Sequence, residues 1–431
     1  MNIFQRKLSR GLVLISLLGF ALRLGLAFHL GINNPPPHLG SDQDEYDCYA
    51  WNLAQGRGFR GPSPNFGREN LTAYRVPGTS LVWAVLYKFF GHRYDVVRVF
   101  HCVVGASTVL LIYVIGRRCF SHLVGLVGAA IYAVWPTALY YSTELLSEPL
   151  AVFWLLASIA GALRFGEKHS WWEALAAGLF LGFSILTRAG FVLMIPLVIF
   201  WIGWTFWGKP VLLTKAALIP ACALLMLLPW GLRNYYLFHA FVPLANEGGD
   251  TLLGGNNDVV ANDPKYYGHQ VFPTSIDEYR VALDACTNEV QRNRLGTSLA
   301  IEWIRNHPDK WWYLTESKFR RLWTPLLQPT SPPLWRYATL LSWGPILILF
   351  IPAFFRTLVV WFRGHSPSLL VHLAIIHVQL TALVFAGVNR FRFPIEGLCI
   401  VLAAQSCVLL YSRLWRIFEM RFRSTPSSTS E

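Results

Sequence analysis

Ten apolar segments decide what this chain can fold into. They run over 11–31, 95–116, 122–139, 149–165, 172–187, 190–207, 212–232, 337–355, 367–388 and 393–411. The first is long enough to cross a bilayer core of roughly 30 Å, although several of the others are short. Backbone in lipid must satisfy its own polar groups, so each segment is expected to be a helix. Two further apolar stretches, 46–55 and 78–90, are too short to span and read as helices lying in the interface. The 431 residues are 54% hydrophobic and only 14% charged, which excludes a soluble domain. The expected fold is an all-α polytopic membrane protein.

The net charge of +13 would suit nucleic acid if the cations formed one stripe. Instead they cap apolar segments, so no nucleic-acid partner is expected. Arg6/Lys7/Arg10, Arg117/Arg118, Arg164/Lys168, Lys209/Lys215, Arg356/Arg363 and Arg413/Arg416/Arg421/Arg423 fall on one side when ten spans alternate. By the positive-inside rule that side is the cytoplasm, and both termini lie in it. The apolar run after Arg10 resembles a signal peptide. Arg23 interrupts it and no small-residue cleavage site follows, so it reads as a signal anchor. The expected location is the plasma (inner) membrane, multi-pass. Three parts follow: an N-terminal transmembrane module over 1–232 with a first outer loop at 32–94, an extracytoplasmic domain over 233–336, and C-terminal helices with a tail over 337–431. The seven cysteines (48, 102, 119, 222, 286, 399 and 407) have no metal-like spacing and read as packing residues.

Charges that the spans do not explain collect on the outer side: Asp42, Asp44, Glu45, Arg75, Glu144, Glu148, Arg188, Arg390 and Arg392. Any one arginine near a span end has a bland role, reaching to lipid headgroups. Their convergence favours a site. Ser41 and Asp44 fit a capping box opening a helix that Gly56 and Gly58 end. Asp42 and Glu45, three apart, share a helix face that continues into Tyr46, Tyr49 and Leu53. The helix dipole keeps Asp42 ionised, a state suited to a general base or a metal ligand. Asp42 ranks first, Glu45 second and Asp44 third. A divalent metal is a candidate cofactor, with Asp42 and Glu45 as its candidate ligands. Glu148 precedes Pro149 and suits a helix start as well as a site; for Glu144 the structural role is favoured. Gly248-Gly249 and Gly254-Gly255-Asn256-Asn257 read as tight turns. A helix over Asn293–Arg321 is broken at Pro308. Asn70-Leu71-Thr72 matches a glycosylation acceptor by chance.

The stretch Asp42–Phe59 followed by Ala73-Tyr74-Arg75-Val76-Pro77-Gly78 resembles the protein O-mannosyltransferase and aminoarabinose-transferase superfamily, bacterial glycosyltransferases of the GT-C fold (glycosyltransferase family 39-like). Glu144-Leu145-Leu146-Ser147-Glu148-Pro149, Leu186-Thr187-Arg188, Gly254-Gly255-Asn256-Asn257, Glu302-Trp303-Ile304-Arg305 with His307-Pro308, and Arg390-Phe391-Arg392-Phe393-Pro394 match in order. The family pattern is often an Asp-Glu pair opening the first outer loop. Here Gln43 follows Asp42, and Asp44-Glu45 supplies the pair two residues later. The helical face favours Asp42 as the catalytic aspartate and the pair pattern favours Asp44.

The resemblance implies transfer of a sugar from a polyprenyl-phosphate donor to a hydroxyl of a lipid, glycan or protein acceptor on the extracytoplasmic face. Asp42 or Asp44 would take the acceptor's proton, with Glu45 and Glu148 beside it. Arg75, Arg188, Arg390 and Arg392 would bind the departing phosphate, whose geometry a guanidinium fork matches. The main rival is a lipid or polysaccharide transporter or flippase, which predicts internal repeats and mid-span charges. Arg23 is the main mid-span charge, and His372 and His377 are the clear titratable pair of a late span. A polymer-assembly scaffold is a third reading, with no feature in its favour.

Overall fold

The computed structural model describes residues 3–64, 66–326, 333–363 and 367–423. The side chains of Arg6, Lys7, Arg363, Arg421 and Arg423 lie outside the described set, as do 65 and 327–332 of the expected outer segments and 424–431 of the tail. Among the described residues, six helices are long and apolar enough to cross a membrane: Arg10–Leu30, Tyr94–Cys119, Glu148–Lys168, Pro210–Phe238, Arg336–Trp361 and Asn389–Arg416. Four shorter apolar helices lie at His122–Ala133, Trp171–Thr187, Ala189–Thr205 and Leu369–Val384. Together they correspond one to one with the expected spans.

The differences are in detail. The third span is not one helix to 139. It breaks after Ala133, and a separate turn, Pro136–Tyr141, starts with Pro136 in its first turn, where a missing N–H costs nothing. The sixth span opens as a 3-10 turn, Ala189–Leu193, before Met194–Thr205, and the seventh continues to Phe238 with Pro229 inside it.

The bundle packs closely where glycine removes the side chain. A Cβ on Gly125 would lie 2.6 Å from the Tyr113 carbonyl, and one on Gly178 2.6 Å from that of Ile219. Arg23 is fully buried in this packing and donates to the carbonyls of Gly19 (2.8 Å) and Ala133 (3.0 Å). It ties the first span to the third. His372 and His377 are likewise bound to backbone: His372 Nδ1 to the Ser368 carbonyl at 2.7 Å, His377 Nε2 to that of Gly190 at 2.8 Å. All seven cysteines are free.

Two helices sit between the first and second spans where they are expected, Asp42–Ala54 and Gly78–Phe90. They pack through Tyr46, Ala50, Ala54, Trp83 and Tyr87, while Leu81, Val85, Phe89 and Phe90 stay exposed on the other face. A smaller helical domain follows the seventh span: Gly248–Gly254, Asp258–Asn262, Asp277–Asp284, Glu289–Asn306 and Pro308–Trp323. The break at Pro308 is where the sequence put it. The run Gly254-Gly255-Asn256-Asn257 turns as expected, the Asn256 amide donating to the Leu253 carbonyl at 3.2 Å, but Gly248-Gly249 is not a turn. Gly248 and Gly249 open a helix whose last residue is Gly254. Their smallness serves packing: a Cβ on Gly249 would lie 2.1 Å from the Asn293 carbonyl and one on Gly255 1.8 Å from that of Phe385.

Candidate functional site

Ser41 caps the helix Asp42–Ala54, its side chain accepting from the Asp44 amide at 3.3 Å. Asp42, Gln43, Asp44 and Glu45 therefore fill the first turn, and two residues along a helix is about 200° of rotation. That geometry separates the two aspartates. Asp42 faces an arginine cluster. Asp44 faces away, holding Arg68 at 2.6 and 2.9 Å and the Gly40 amide at 2.8 Å.

Asp42 is bound on both oxygens. Arg75 Nη2 donates to one and Arg390 Nη1 to the other, each at 2.6 Å. Arg75 also donates through Nε to Glu45 (2.7 Å) and through Nη1 to Glu247. One guanidinium thus holds three carboxylates, and it lies over the rings of Tyr46 and Tyr74. Arg390 donates through Nε to Glu148, whose same oxygen accepts from Arg188 Nη1 at 3.3 Å. The network joins five chain segments, from the first outer loop to the start of the last span.

Exposure divides these groups into an open edge and a closed back. The side chains of Asp42 (30%), Arg390 (28%), Glu247 (24%) and Arg188 (22%) reach solvent, whereas Glu45 (8%) and Glu148 (0%) do not. Burial alone would raise the Asp42 carboxyl, but the charges of Arg75 and Arg390 outweigh it and hold the group well below the ordinary carboxylate range. For Glu45 burial wins over Arg75, helped by the charge on Asp42, and the carboxyl is pushed up to about 7. The edge can accept a hydroxyl's hydrogen bond at Asp42 and meet an anion at Arg188 and Arg390.

Arg392 is not in this network. It is two residues from Arg390 on one helix, so it points to the opposite side. There it donates to Glu396 at 2.9 Å and to the carbonyls of Leu322 and Thr324 at 2.6 and 3.1 Å, buried beneath Trp343. Its Glu396 partner, four residues on, was visible in the sequence as a helical pair. Glu144 accepts from Gln43 Nε2 at 2.7 Å, tying the helix Asp42–Ala54 to the turn before the fourth span. Sequence reasoning missed Glu247, which carries no local signal beyond its place before Gly248-Gly249. It also missed Arg68 as the partner of Asp44. The arrangement does not favour the candidate metal on Asp42 and Glu45: both carboxylates face arginine, and no group of three or more His, Cys, Asp or Glu among the described residues could hold one.

Residues 75–232 match the family model described as dolichyl-phosphate-mannose-protein mannosyltransferase. No curated relative matches the sequence. In fold, the chain is similar to the oligosaccharyltransferase AglB of Archaeoglobus fulgidus in complex with an inhibitory peptide and a dolichol-phosphate. The TM-score is 0.62 at 12% identity, covering 100% of this chain and 53% of that one. The apo form of an Archaeoglobus fulgidus oligosaccharyltransferase gives 0.61 at 13% identity, covering 96% and 52%. ArnT from Cupriavidus metallidurans bound to undecaprenyl phosphate gives 0.43 at 13%, covering 90% and 77%. This chain spans about half the length of the archaeal enzyme. It has the all-α polytopic membrane fold of the GT-C glycosyltransferases.

Proposed function

We propose that this protein is a membrane glycosyltransferase that moves a sugar from a polyprenyl-phosphate carrier to an acceptor hydroxyl on the outer face. The observation that carries the reading is Asp42, held ionised at the open edge between Arg75 and Arg390. An acceptor hydroxyl attacks the anomeric carbon and gives its proton to a carboxylate of the edge. The bond from that carbon to the phosphate oxygen breaks, and the phosphate departs with the electron pair. Its growing charge meets Arg188, which holds Glu148 at 3.3 Å and lies over the Phe391 ring, and the neighbouring Arg390. Arg75, occupied by three carboxylates, orients rather than binds. Arg392, turned away to Glu396, is not given a phosphate role. The match to a mannosyltransferase family model and the dolichol-phosphate bound by the similarly folded AglB support a lipid-linked donor.

The test is transfer of labelled sugar from polyprenyl phosphate in proteoliposomes. Asp42→Asn keeps shape but removes the basic oxygen, and turnover is expected to fall about 10²- to 10⁴-fold. Asp44→Asn weakens the bidentate Arg68 pair and the first turn of the helix, with turnover largely retained and melting lowered by about 1 kcal/mol of stability. An active Asp42→Asn beside an inactive Asp44→Asn would transfer the role to Asp44. Full activity in both would remove the cluster from the chemistry.

A further inference from the structure

Arg75 and Glu247 belong to segments far apart in sequence, yet one buried carboxylate outside the network clasps both of them. Glu289 is the first residue of the helix Glu289–Asn306 and is 5% exposed. Its Oε1 accepts from the Ala73 amide at 2.6 Å and from Asn246 Nδ2 at 2.9 Å. Its Oε2 accepts from Thr72 Oγ1 at 2.7 Å and from Ser63 Oγ at 3.1 Å. Thr72 Oγ1 in turn accepts the Tyr74 amide at 2.9 Å, and the Asn246 amide donates to the Ala73 carbonyl at 2.9 Å.

These bonds are placed where they matter. The amides of the two residues preceding Arg75 are both fixed, one by Glu289 and the other through Thr72. The residue preceding Glu247 is fixed by the same carboxylate. All four donors to Glu289 are neutral, so no direct ion pair explains a carboxylate buried there, and a buried charge is stable only when its acceptor sites are filled.

We propose that Glu289 is a positioning residue: it docks the outer domain onto the first outer loop and sets the register of Arg75 against Asp42, Glu45 and Glu247. It touches none of the reacting atoms. The proposal rests on the transferase reading for its effect on rate, though not for its effect on the loop. Displacing a positioned group by about 1 Å can cost on the order of 10²-fold in rate.

The experiment uses the full chain with Glu289→Gln, which puts an amide N–H against donors that need an acceptor. Thr72→Val is the milder companion: it removes one donor to Glu289 and the acceptor for the Tyr74 amide. Two readouts are taken. Hydrogen exchange of a peptide covering residues 72–77 should accelerate at least tenfold in both variants, while peptides within Gly78–Phe90 stay protected. Turnover should fall tenfold or more with Glu289→Gln, mainly in kcat, with Glu289→Asp recovering part of it. Adding Glu289→Gln to Arg75→Lys should cost far less than in the native background, because both act on one guanidinium. Unchanged exchange at 72–77 overturns the clasp. Effects of Glu289→Gln and Arg75→Lys that multiply, tracking a uniform loss of melting temperature, reduce Glu289 to a packing residue and overturn the positioning role. If the native chain transfers no sugar, the functional reading fails by itself and the exchange measurement still decides the clasp.

Discussion

Arg75 binds Asp42, Glu45 and Glu247 at once, and the three carboxylates differ in how much water they keep. Asp42 and Glu247 reach solvent, whereas Glu45 is shut in, and burial pushes its carboxyl up to about 7. In the unfolded chain Glu45 titrates near its ordinary value of 4.5, and in the folded protein near about 7. Between those values the folded state holds the extra proton, so the stabilising contribution is complete below the unfolded value and disappears as pH rises through about 7. Glu45's contribution to the native melting temperature should therefore decline between pH 5 and pH 7, before the opposite gain from Lys318 sets in above about 7. Glu45→Gln, which cannot ionise, should flatten that decline. An equally steep profile in Glu45→Gln, measured by thermal unfolding in detergent across this range, would assign the pH dependence to another group.

At the scale of elements, the helical domain after the seventh span meets the apolar helices at a junction built for close approach. Gly255 lies against the Phe385 carbonyl, Gly387 against that of Lys318, and the Gly387 amide donates to the Gly268 carbonyl at 2.7 Å. Lys318 is buried there, donating to Asn256 Oδ1 at 2.8 Å and to the Val384 carbonyl at 3.2 Å, and burial pushes its ammonium down to about 7. Gly255→Ala would place a carbon 1.8 Å from backbone oxygen, which no rotamer relieves. Overpacking of this kind costs typically about 1–3 kcal/mol, so a clear drop in melting temperature is expected. Gly11→Ala, with open space at its Cβ, should melt like the native chain. This junction also marks where sequence reading ran out. The spans were legible because lipid imposes a long apolar signature, and the outer-loop helices because Ser41 and the glycines after Ala54 bracket one of them. The Gly254-Gly255-Asn256-Asn257 run was legible as a turn, but not the backbone 130 residues downstream against which Gly255 packs. The placing of Asp42 with Glu45 and away from Asp44 followed from helical spacing alone. Glu247 did not, since only the tertiary fold brings it to Arg75.

For the molecule as a whole, the two ends of the bundle differ in kind. The helix Glu148–Lys168 begins in the ion network and ends about 30 Å away at 1.5 Å per residue. At that far end Arg118 pairs with Glu167, Arg164 with Glu173 at 2.6 Å, and Lys215 donates to the His169 carbonyl at 3.3 Å. Three basic clusters from separate loops thus meet opposite the network, which is the asymmetry the positive-inside rule uses to assign a cytoplasmic face. We propose on that rule that the network, the loop after the first span and the helical domain face outward. Single cysteines placed at the exposed positions Glu69 and Asn262 should react with a membrane-impermeant maleimide added to intact cells, over the background of the native thiols. A cysteine at Lys168 should react only after the membrane is opened. Labelling at Lys168 in intact cells, with protection at both other positions, would invert the orientation and put the Asp42 edge on the cytoplasmic face, where a donor carried in the outer leaflet could not reach it.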